Sequence, residues 1–290
     1  MKHRRIKLVI SFCYWTFLIL RKAFLKLLGR EIAGRCTAVY FHSVKDGEKE
    51  NFVRQINLLK KFTLPLRADF SGSLPKGKNS VILTFDDGFK SLIKNVLPEL
   101  VRLGIPCTIF FPVQYLGCRP AWEFNKRFHD EGEDIMTPDE IKSLPPDLVL
   151  VGSHSFSHSI MTDLNPPELK KEFTKSKETL ESITGRAVDL FSFPYGAFNT
   201  ILIEYAIEAG YKRTFTGTYE VYDSELSGAV IGRVRTDPLD TMWEFRLKVL
   251  GAYEWMYYFR RIKENIFTMK GKDLEIKKSH TGYRASEAGS

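Results

Sequence analysis

The sequence predicts an α/β fold in which parallel strands alternate with helices. Short runs rich in β-branched and aromatic residues, typical of buried strands, recur between segments whose apolar residues have helical spacing. This alternation extends over most of residues 37–216 and favours parallel pairing with right-handed crossovers. With 290 residues, 43% of them hydrophobic, the chain can bury a sizeable core.

Each predicted strand is a short apolar run that ends at a turn or a polar residue. Strands are expected at residues 37–41, 80–85, 107–111, 148–152, 188–193 and 213–216. Helices are expected at 51–62, at 90–103 with a kink at Pro98, at 138–144 after Thr137, at 166–183 before Gly185, and at 200–210. Residues 240–269 predict a basic and aromatic helix or helix pair that packs on this domain, with contact to lipid as the alternative.

The net charge of +8 is concentrated near the N-terminus. Residues 1–35 carry nine Lys or Arg and one acid, which leaves no net charge on residues 36–290. A nucleic-acid-binding protein is expected to carry basic residues across its folded domain, so this distribution disfavours that class. It indicates instead a basic terminal segment with a partner of its own.

That segment contains an uncharged run, residues 8–20, between clusters of Lys and Arg. Its 13 residues fall short of the roughly 20 that a membrane-spanning helix needs. A helix lying in the interface of an anionic membrane is the favoured interpretation, with an uncleaved signal anchor or a buried core helix as alternatives. We expect association with a membrane, the inner membrane of a bacterium, and the flanking charges leave its side open.

The four cysteines show no Cys-x-x-Cys spacing that would indicate a metal or redox site. Cys13 and Cys107 lie in apolar runs and are expected to be buried thiols. The sequence leaves open whether Cys107 pairs with Cys118.

Two adjacent carboxylates, Asp86 and Asp87, follow the predicted strand 80–85. The carboxyl ends of parallel strands are where catalytic groups collect in α/β folds. Successive strand side chains point to opposite faces, so one aspartate can bind a metal while the other accepts a proton. A turn in which both side chains cap backbone amides is the alternative.

Two further motifs follow predicted strands. His154 and His158 share one face if the backbone turns helically between them, so that both imidazoles can reach one cation. One aspartate and two histidines would leave a coordination position for water or substrate, as a hydrolytic metal site needs. Tyr195 lies in a Pro-Tyr-Gly turn whose backbone N–H could stabilise an oxyanion. Each motif alone also fits an ordinary loop.

In this order and spacing, the three motifs resemble those of the polysaccharide deacetylases of the NodB-homology type. Residues 84–88 (Thr-Phe-Asp-Asp-Gly) match the first motif, residues 154–158 (His-Ser-Phe-Ser-His) the second, and residues 193–196 (Phe-Pro-Tyr-Gly) the core of the third. The resemblance covers about residues 37–237. It implies a distorted (β/α) barrel and a divalent metal, commonly zinc, held by Asp87, His154 and His158. It also implies that Asp86 is the general base and the Tyr195 amide an oxyanion donor.

The chain departs from the family pattern at the residue that holds the base. The third motif usually carries an arginine there, and this chain has Ser192. Arg233 or Arg235, in the segment 231–235, could supply the missing charge from another strand, and we choose Arg233.

The usual late Leu-x-His motif, which provides the general acid, is also absent, and His280 lies in a tail too polar to replace it. Residues 40–44 (Tyr-Phe-His-Ser-Val) resemble the Tyr-His-x-Val segment of exopolysaccharide deacetylases related to poly-N-acetylglucosamine processing. In that subgroup the motif order is permuted and the early histidine acts as the acid. The resemblance therefore assigns the acid to His42, with a structural histidine as the alternative.

The expected organisation is a membrane-associating segment (1–35), a deacetylase barrel (36–240), a helical extension (241–269) and a disordered tail (270–290). The implied activity is metal-dependent removal of N-acetyl groups from amino sugars of a polysaccharide or glycolipid. Alternatives are a deformylase or deacetylase of a lipid-linked sugar, a ring-amide hydrolase on a related barrel, and a non-catalytic saccharide-binding or assembly protein.

Overall fold

The computed structural model describes residues 2–122 and 132–262. Its strands are β1 (Arg35–Phe41), β2 (Leu64–Leu66), β3 (Gly72–Ser73), β4 (Asn79–Phe85), β5 (Cys107–Phe111), β6 (Val149–Ser153), β7 (Leu190–Ser192), β8 (Arg213–Thr216), β9 (Val221–Asp223), β10 (Glu225–Leu226) and β11 (Val230–Arg235). Its helices are α1 (Lys2–Leu27), α2 (Lys49–Phe62), α3 (Ser91–Asn95), α4 (Leu97–Leu103), α5 (Pro138–Lys142), α6 (Pro166–Thr184), α7 (Thr200–Glu208) and α8 (Met242–Val249).

Seven parallel strands close into a barrel. Their order is β1, β4, β5, β6, β7, β8 and β11, and β11 pairs with β1 again. The predicted distorted (β/α) barrel is thus confirmed, and the six predicted strands lie within two residues of their observed bounds. The closed sheet brings the carboxyl ends of all seven strands to one rim.

Strand β1 closes the barrel and sets the register of this rim. Phe41 pairs with Phe85 of β4, and the N–H of Asp86 donates to the carbonyl of Phe41 at 2.9 Å. On its other edge Tyr40 pairs with Arg235 of β11. His42 and Asp86, the residues that follow β1 and β4, therefore come to the same level of the barrel.

The helices largely follow the predicted pattern. Capping boxes at Thr137 and Asn165 begin α5 and α6, and Gly185, with φ 65°, ends α6. The helix expected over 90–103 is divided at Val96 into α3 and α4. Pro98 lies in the first turn of α4, where its missing N–H removes no helical hydrogen bond.

The C-terminal extension is a helix pair. Helix α8 ends before a turn at Gly251 (φ 73°), and residues 255–262 are again helical. Residues 263–290, with His280 and the tail expected to be disordered, lie outside the described residues.

Helix α1 is not a core helix, because only 6% of an apolar 18-residue stretch of it is buried. The helix extends beyond the uncharged run, and over Arg4–Leu27 its length and composition suffice to cross a membrane, contrary to the expectation that the segment is too short. Arg4 binds Glu244 at 2.8 Å, and Lys22 donates to the carbonyl of Gly77 at 3.1 Å. Since Glu244 follows β11 and Gly77 precedes β4, α1 lies along the barrel wall, antiparallel to the barrel strands.

All four cysteines are free thiols, so Cys107 and Cys118 do not pair. Cys36 and Cys107 are buried, whereas Cys13 and Cys118 are exposed. The expectation of a buried Cys13 was wrong because this residue lies on the outward face of α1.

Candidate catalytic site and metal centre

The general base predicted from the sequence is anchored inside the barrel rim. Arg233 donates from Nη1 to Oδ1 of Asp86 at 2.8 Å and from Nη2 to Oδ2 at 2.9 Å, and both side chains are almost fully buried. Burial alone would raise the pKa of the Asp86 carboxyl, but the nearby charges, first that of Arg233, lower it overall. The carboxylate is therefore ionised and fixed in orientation.

Neighbouring hydroxyls complete the environment of Arg233. Its Nη1 also donates to Oγ1 of Thr84 at 3.0 Å, and its Nη2 donates to Oγ of Ser192 at 2.7 Å. The guanidinium lies 4.5 Å from the ring centroid of Tyr40. The hydroxyl of Ser192 thus contacts both Arg233 and Asp86, and its small side chain leaves room for an arginine that comes from β11. Arg235 is instead 3.7 Å from Asp237.

Asp87, His154 and His158 converge on one point beside this ion pair. Oδ1 of Asp87 lies 3.6 Å from Nε2 of His154 and 3.3 Å from Nε2 of His158, and all three side chains are buried. The three potential ligand atoms lie within 4.8 Å of one another. Within the described residues Oδ1 of Asp87 has no hydrogen-bond partner, although it is buried. Such an oxygen is costly to bury unless a cation satisfies it.

The protonation states suit a cation. Burial lowers the pKa of His154 to about 4, which outweighs the nearby carboxylates and leaves the imidazole neutral at pH 7. Nδ1 of His154 lies 2.8 Å from the carbonyl of Ser192, so this nitrogen carries the proton and Nε2 carries the lone pair. Burial favours a neutral Asp87, but the imidazole of His158, 3.3 Å away, and the other nearby histidines lower the pKa of its carboxyl overall. The donor set therefore fits a divalent metal.

The loop between the two histidines is not helical, in contrast to the expected helical turn. Ser155 and His158 have φ values of 67° and 58°, and Oγ of Ser155 accepts the N–H of His158 at 2.9 Å. These left-handed residues, rather than an i, i+4 helical face, bring the imidazoles together. Asp87, with φ 68°, is likewise turned out of the strand direction.

Glu172, in the middle of α6, holds this loop from behind. Its Oε2 accepts the N–H groups of Phe156 and Ser157, both at 2.9 Å, and its Oε1 accepts the hydroxyl of Ser157 at 2.6 Å. Sequence reasoning missed this residue. The pattern that could have identified it is its position on the inward face of α6, at helical spacing from the buried Leu169, Ser176 and Leu180.

The remaining predicted residues border the same pocket. His42 lies close enough that its charge would lower the pKa of both Asp86 and Asp87. Tyr195 occupies a left-handed position (φ 58°) in the turn after β7, and its half-exposed ring lies 4.8 Å from that of His158. Trp122, which no sequence pattern singled out, stacks on His158 with ring centroids 4.0 Å apart.

The chain is similar in sequence to known polysaccharide deacetylases. The family model for polysaccharide deacetylase matches residues 73–214, which contain the two aspartates, the two histidines and Tyr195 but neither His42 nor Arg233. YxkH of Bacillus subtilis is 23% identical over 158 residues, 54% of this chain and 52% of YxkH. Peptidoglycan-N-acetylmuramic acid deacetylase PdaA of the same species is 24% identical over 140 residues, 48% of this chain and 46% of PdaA. The chain thus spans about half the length of the curated relatives it matches.

The fold is also that of solved structures. IcaB from Ammonifex degensii matches with a TM-score of 0.60 at 21% identity, over 74% of this chain and 97% of IcaB.

Proposed function

Since the chain belongs to the polysaccharide deacetylase family of the NodB-homology type, we propose that it is a metal-dependent hydrolase that removes N-acetyl groups from amino sugars. The observation that carries this proposal is the convergence of Asp87, His154 and His158 beside the Asp86–Arg233 ion pair. A saccharide-binding protein without catalysis would not need a buried, oriented carboxylate next to a ligand set.

The metal ligands of the proposal are Asp87, His154 and His158, and zinc is the ion we expect because it favours this mixture of nitrogen and oxygen donors at low coordination number. The bound ion supplies Lewis acidity to the acetamide carbonyl and to water at neutral pH. The chain itself keeps His154 neutral, with the proton on Nδ1. It also places Oδ1 of Asp87, which has no hydrogen-bond partner among the described residues, close to both imidazoles.

Asp86 accepts the proton of the attacking water, and Arg233 holds it in the orientation needed for that transfer. As the water oxygen bonds to the acetyl carbon, negative charge develops on the carbonyl oxygen. The backbone N–H of Tyr195 is the proposed donor to that oxygen. Protonated His42 then delivers a proton to the nitrogen as the C–N bond breaks, giving acetate and the free amine.

We further propose that α1 associates the enzyme with a membrane, the inner membrane of a bacterium. Nine large apolar side chains of the helix and Leu28 directly after it are at least 40% exposed; those in the helix are Ile6, Val9, Ile10, Phe12, Phe17, Ile19, Leu20, Phe24 and Leu27. Soluble surfaces rarely carry an apolar strip of this length. The basic residues at both ends of the strip add attraction to anionic lipids.

The test measures metal content and acetate release for the wild type and for Asp86→Asn. The substrates are N-acetylglucosamine oligomers and a lipid-linked N-acetylglucosamine in vesicles. We expect bound metal in both proteins and acetate from the wild type only, with the variant slower by roughly 10²–10⁴-fold. Wild-type protein that carries no metal, or that releases acetate from neither substrate, would contradict the proposal.

A further inference from the structure

A cavity outside the candidate site lies near the turn that carries Tyr195. It has a volume of about 360 Å³ and lies between the start of α1, residues 217–219 after β8, and the helical segment 255–260. Its lining includes Gly217, which packs against Gly196 so closely that a Cβ on Gly196 would be 3.3 Å from the Cα of Gly217. Gly196 directly follows Tyr195. The cavity, here called the side cleft, therefore borders the turn that carries the proposed oxyanion donor.

The side cleft has the lining expected for an anionic amphiphile. Lys7 and Arg260 supply two cations, and the described lining contains no carboxylate. The rest of the wall is largely apolar or aromatic and consists of Gly217, Thr218, Tyr219, Trp255, Met256, Tyr257 and Phe259. Cations on an aromatic wall favour a ligand that joins a negatively charged group to an apolar chain.

The carboxylates nearest Lys7 form ion pairs with other basic residues. In the adjoining cavity Asp240 binds Lys248 at 2.6 Å, and Glu244 binds Arg4 at 2.7 Å. Within the described part of the chain, no carboxylate oxygen lies within 4.0 Å of the Lys7 ammonium, the distance limit for an ion pair. Its ammonium is therefore available for an anion in the side cleft.

The lining of the side cleft adjoins the apolar surface proposed to contact the membrane. Phe259, which lines the cleft, is 53% exposed, and Ile6, next to Lys7 on α1, is 48% exposed. The indole Nε1 of Trp255 donates to Oγ of the buried Ser11 at 2.9 Å, which joins segment 255–262 to α1. The cleft is thus bordered both by the turn that carries Tyr195 and by the exposed apolar surface of α1.

We propose that the substrate is an amino sugar linked through phosphate to a membrane lipid. Lys7 and Arg260 bind the phosphate, the lipid chain leaves the cleft over Phe259 towards the exposed face of α1, and the sugar reaches the metal centre past Gly217. This inference rests on the deacetylase function proposed above and specifies its substrate. A phospholipid headgroup of the bulk membrane shares the same phosphate chemistry and is the competing occupant.

The experiment uses the full chain and three N-acetylglucosamine substrates. One is linked through phosphate to a long-chain alcohol, one is the alkyl glycoside without phosphate, and one is soluble chitotetraose. The first two are presented in phosphatidylcholine vesicles, whose zero net charge removes bulk electrostatic attraction. We expect kcat/KM for the phosphate-linked substrate to exceed the other two by at least about tenfold, the order of one charge-assisted contact.

Two variants separate the cleft from the membrane. Lys7→Ala removes a charge that lines the cleft, and Arg5→Ala removes the same charge from an exposed position outside the cleft. Lys7→Ala is expected to raise KM for the phosphate-linked substrate about tenfold, with kcat and chitotetraose hydrolysis unchanged, whereas Arg5→Ala leaves all three values unchanged.

The outcomes distinguish the two levels of the proposal. Hydrolysis of all three substrates at equal kcat/KM would overturn the inference and leave the deacetylase function intact. Equal loss in Lys7→Ala and Arg5→Ala would assign the effect to general membrane electrostatics, which also overturns it. Failure to hydrolyse any of the three substrates would instead reject the deacetylase function itself.

Discussion

Arg233 and Asp86 face each other across the barrel rim through two parallel hydrogen bonds of 2.8 and 2.9 Å, although 147 residues separate them in the chain. The planar guanidinium matches the two carboxylate oxygens, so the pair fixes the orientation of the Asp86 carboxylate as well as its charge. The ion pair also joins β11 to β4, two strands on opposite sides of β1.

We expect Arg233→Gln to destabilise the protein and to slow the reaction. Removing one member of a buried ion pair leaves the other charge uncompensated, at a cost of about 3–5 kcal/mol in the free energy of unfolding. Arg235→Gln is the matched control, since Arg235 is more exposed and its ion pair with Asp237 is longer, so it should cost less than about 1 kcal/mol. Denaturant unfolding of the two variants, alongside acetate release, measures both effects. Equal losses of stability and activity in the two variants would show that Arg233 has no special role.

Adding zinc to metal-free protein should raise its melting temperature. A cation at the orphaned Oδ1 of Asp87 binds only the folded state, which at 100 times Kd contributes about 2.7 kcal/mol. For a chain of this size that corresponds to roughly 4 °C. His154→Ala should abolish the shift and His3→Ala should retain it. A melting temperature that zinc leaves unchanged in the wild type would contradict the metal site, whatever the activity.

Glu172→Gln tests how the histidine loop is held. Glutamine keeps the size of the side chain but lacks the second oxygen that accepts the hydroxyl of Ser157, and it loses the charge that strengthens all three hydrogen bonds. We expect metal affinity to fall by roughly 10–100-fold, as for other residues that orient metal ligands. Glu178→Gln, an exposed position on the same helix, should bind metal like the wild type. Calorimetric zinc titration compares them, and unchanged affinity in Glu172→Gln would show that the loop is rigid without it.

The two exposed cysteines should be alkylated before the two buried ones. Burial raises the pKa of the Cys36 and Cys107 thiols to about 12, so neither forms a reactive thiolate at pH 8 in the folded protein. Cys13 and Cys118 are exposed and should react with iodoacetamide first. Mass spectrometry of the labelled peptides, before and after denaturation, tests this order. Phosphatidylglycerol vesicles should protect Cys13 and not Cys118 if α1 binds the membrane, and equal labelling of both would argue against that placement.

The sequence predicts the parts of the fold that depend on local patterns. Apolar runs of strand length specified six of the seven barrel strands, and capping residues specified the starts of α5 and α6. Strands β2 and β9 could not be predicted in this way. They have three residues each, and their conformation depends on pairing with β4 and β1 rather than on their own periodicity.

In the candidate site, too, some features follow from the sequence pattern and others depend on contacts between distant residues. Asp86, Asp87, His154 and His158 were located because the carboxyl ends of parallel strands meet, which is a property of the topology. The left-handed conformation of Ser155 and the stacking of Trp122 on His158 depend on contacts across the rim, which no spacing in the chain encodes.

The position of Arg233 on the last barrel strand has a consequence for synthesis. A chain emerging from the ribosome has made Asp86 and the whole metal-binding set long before β11 exists. Until β11 enters the gap beside β1, the barrel is open and Asp86 has no arginine partner. The proposed proton acceptor therefore gains its arginine partner last, after all three proposed metal ligands have been synthesised.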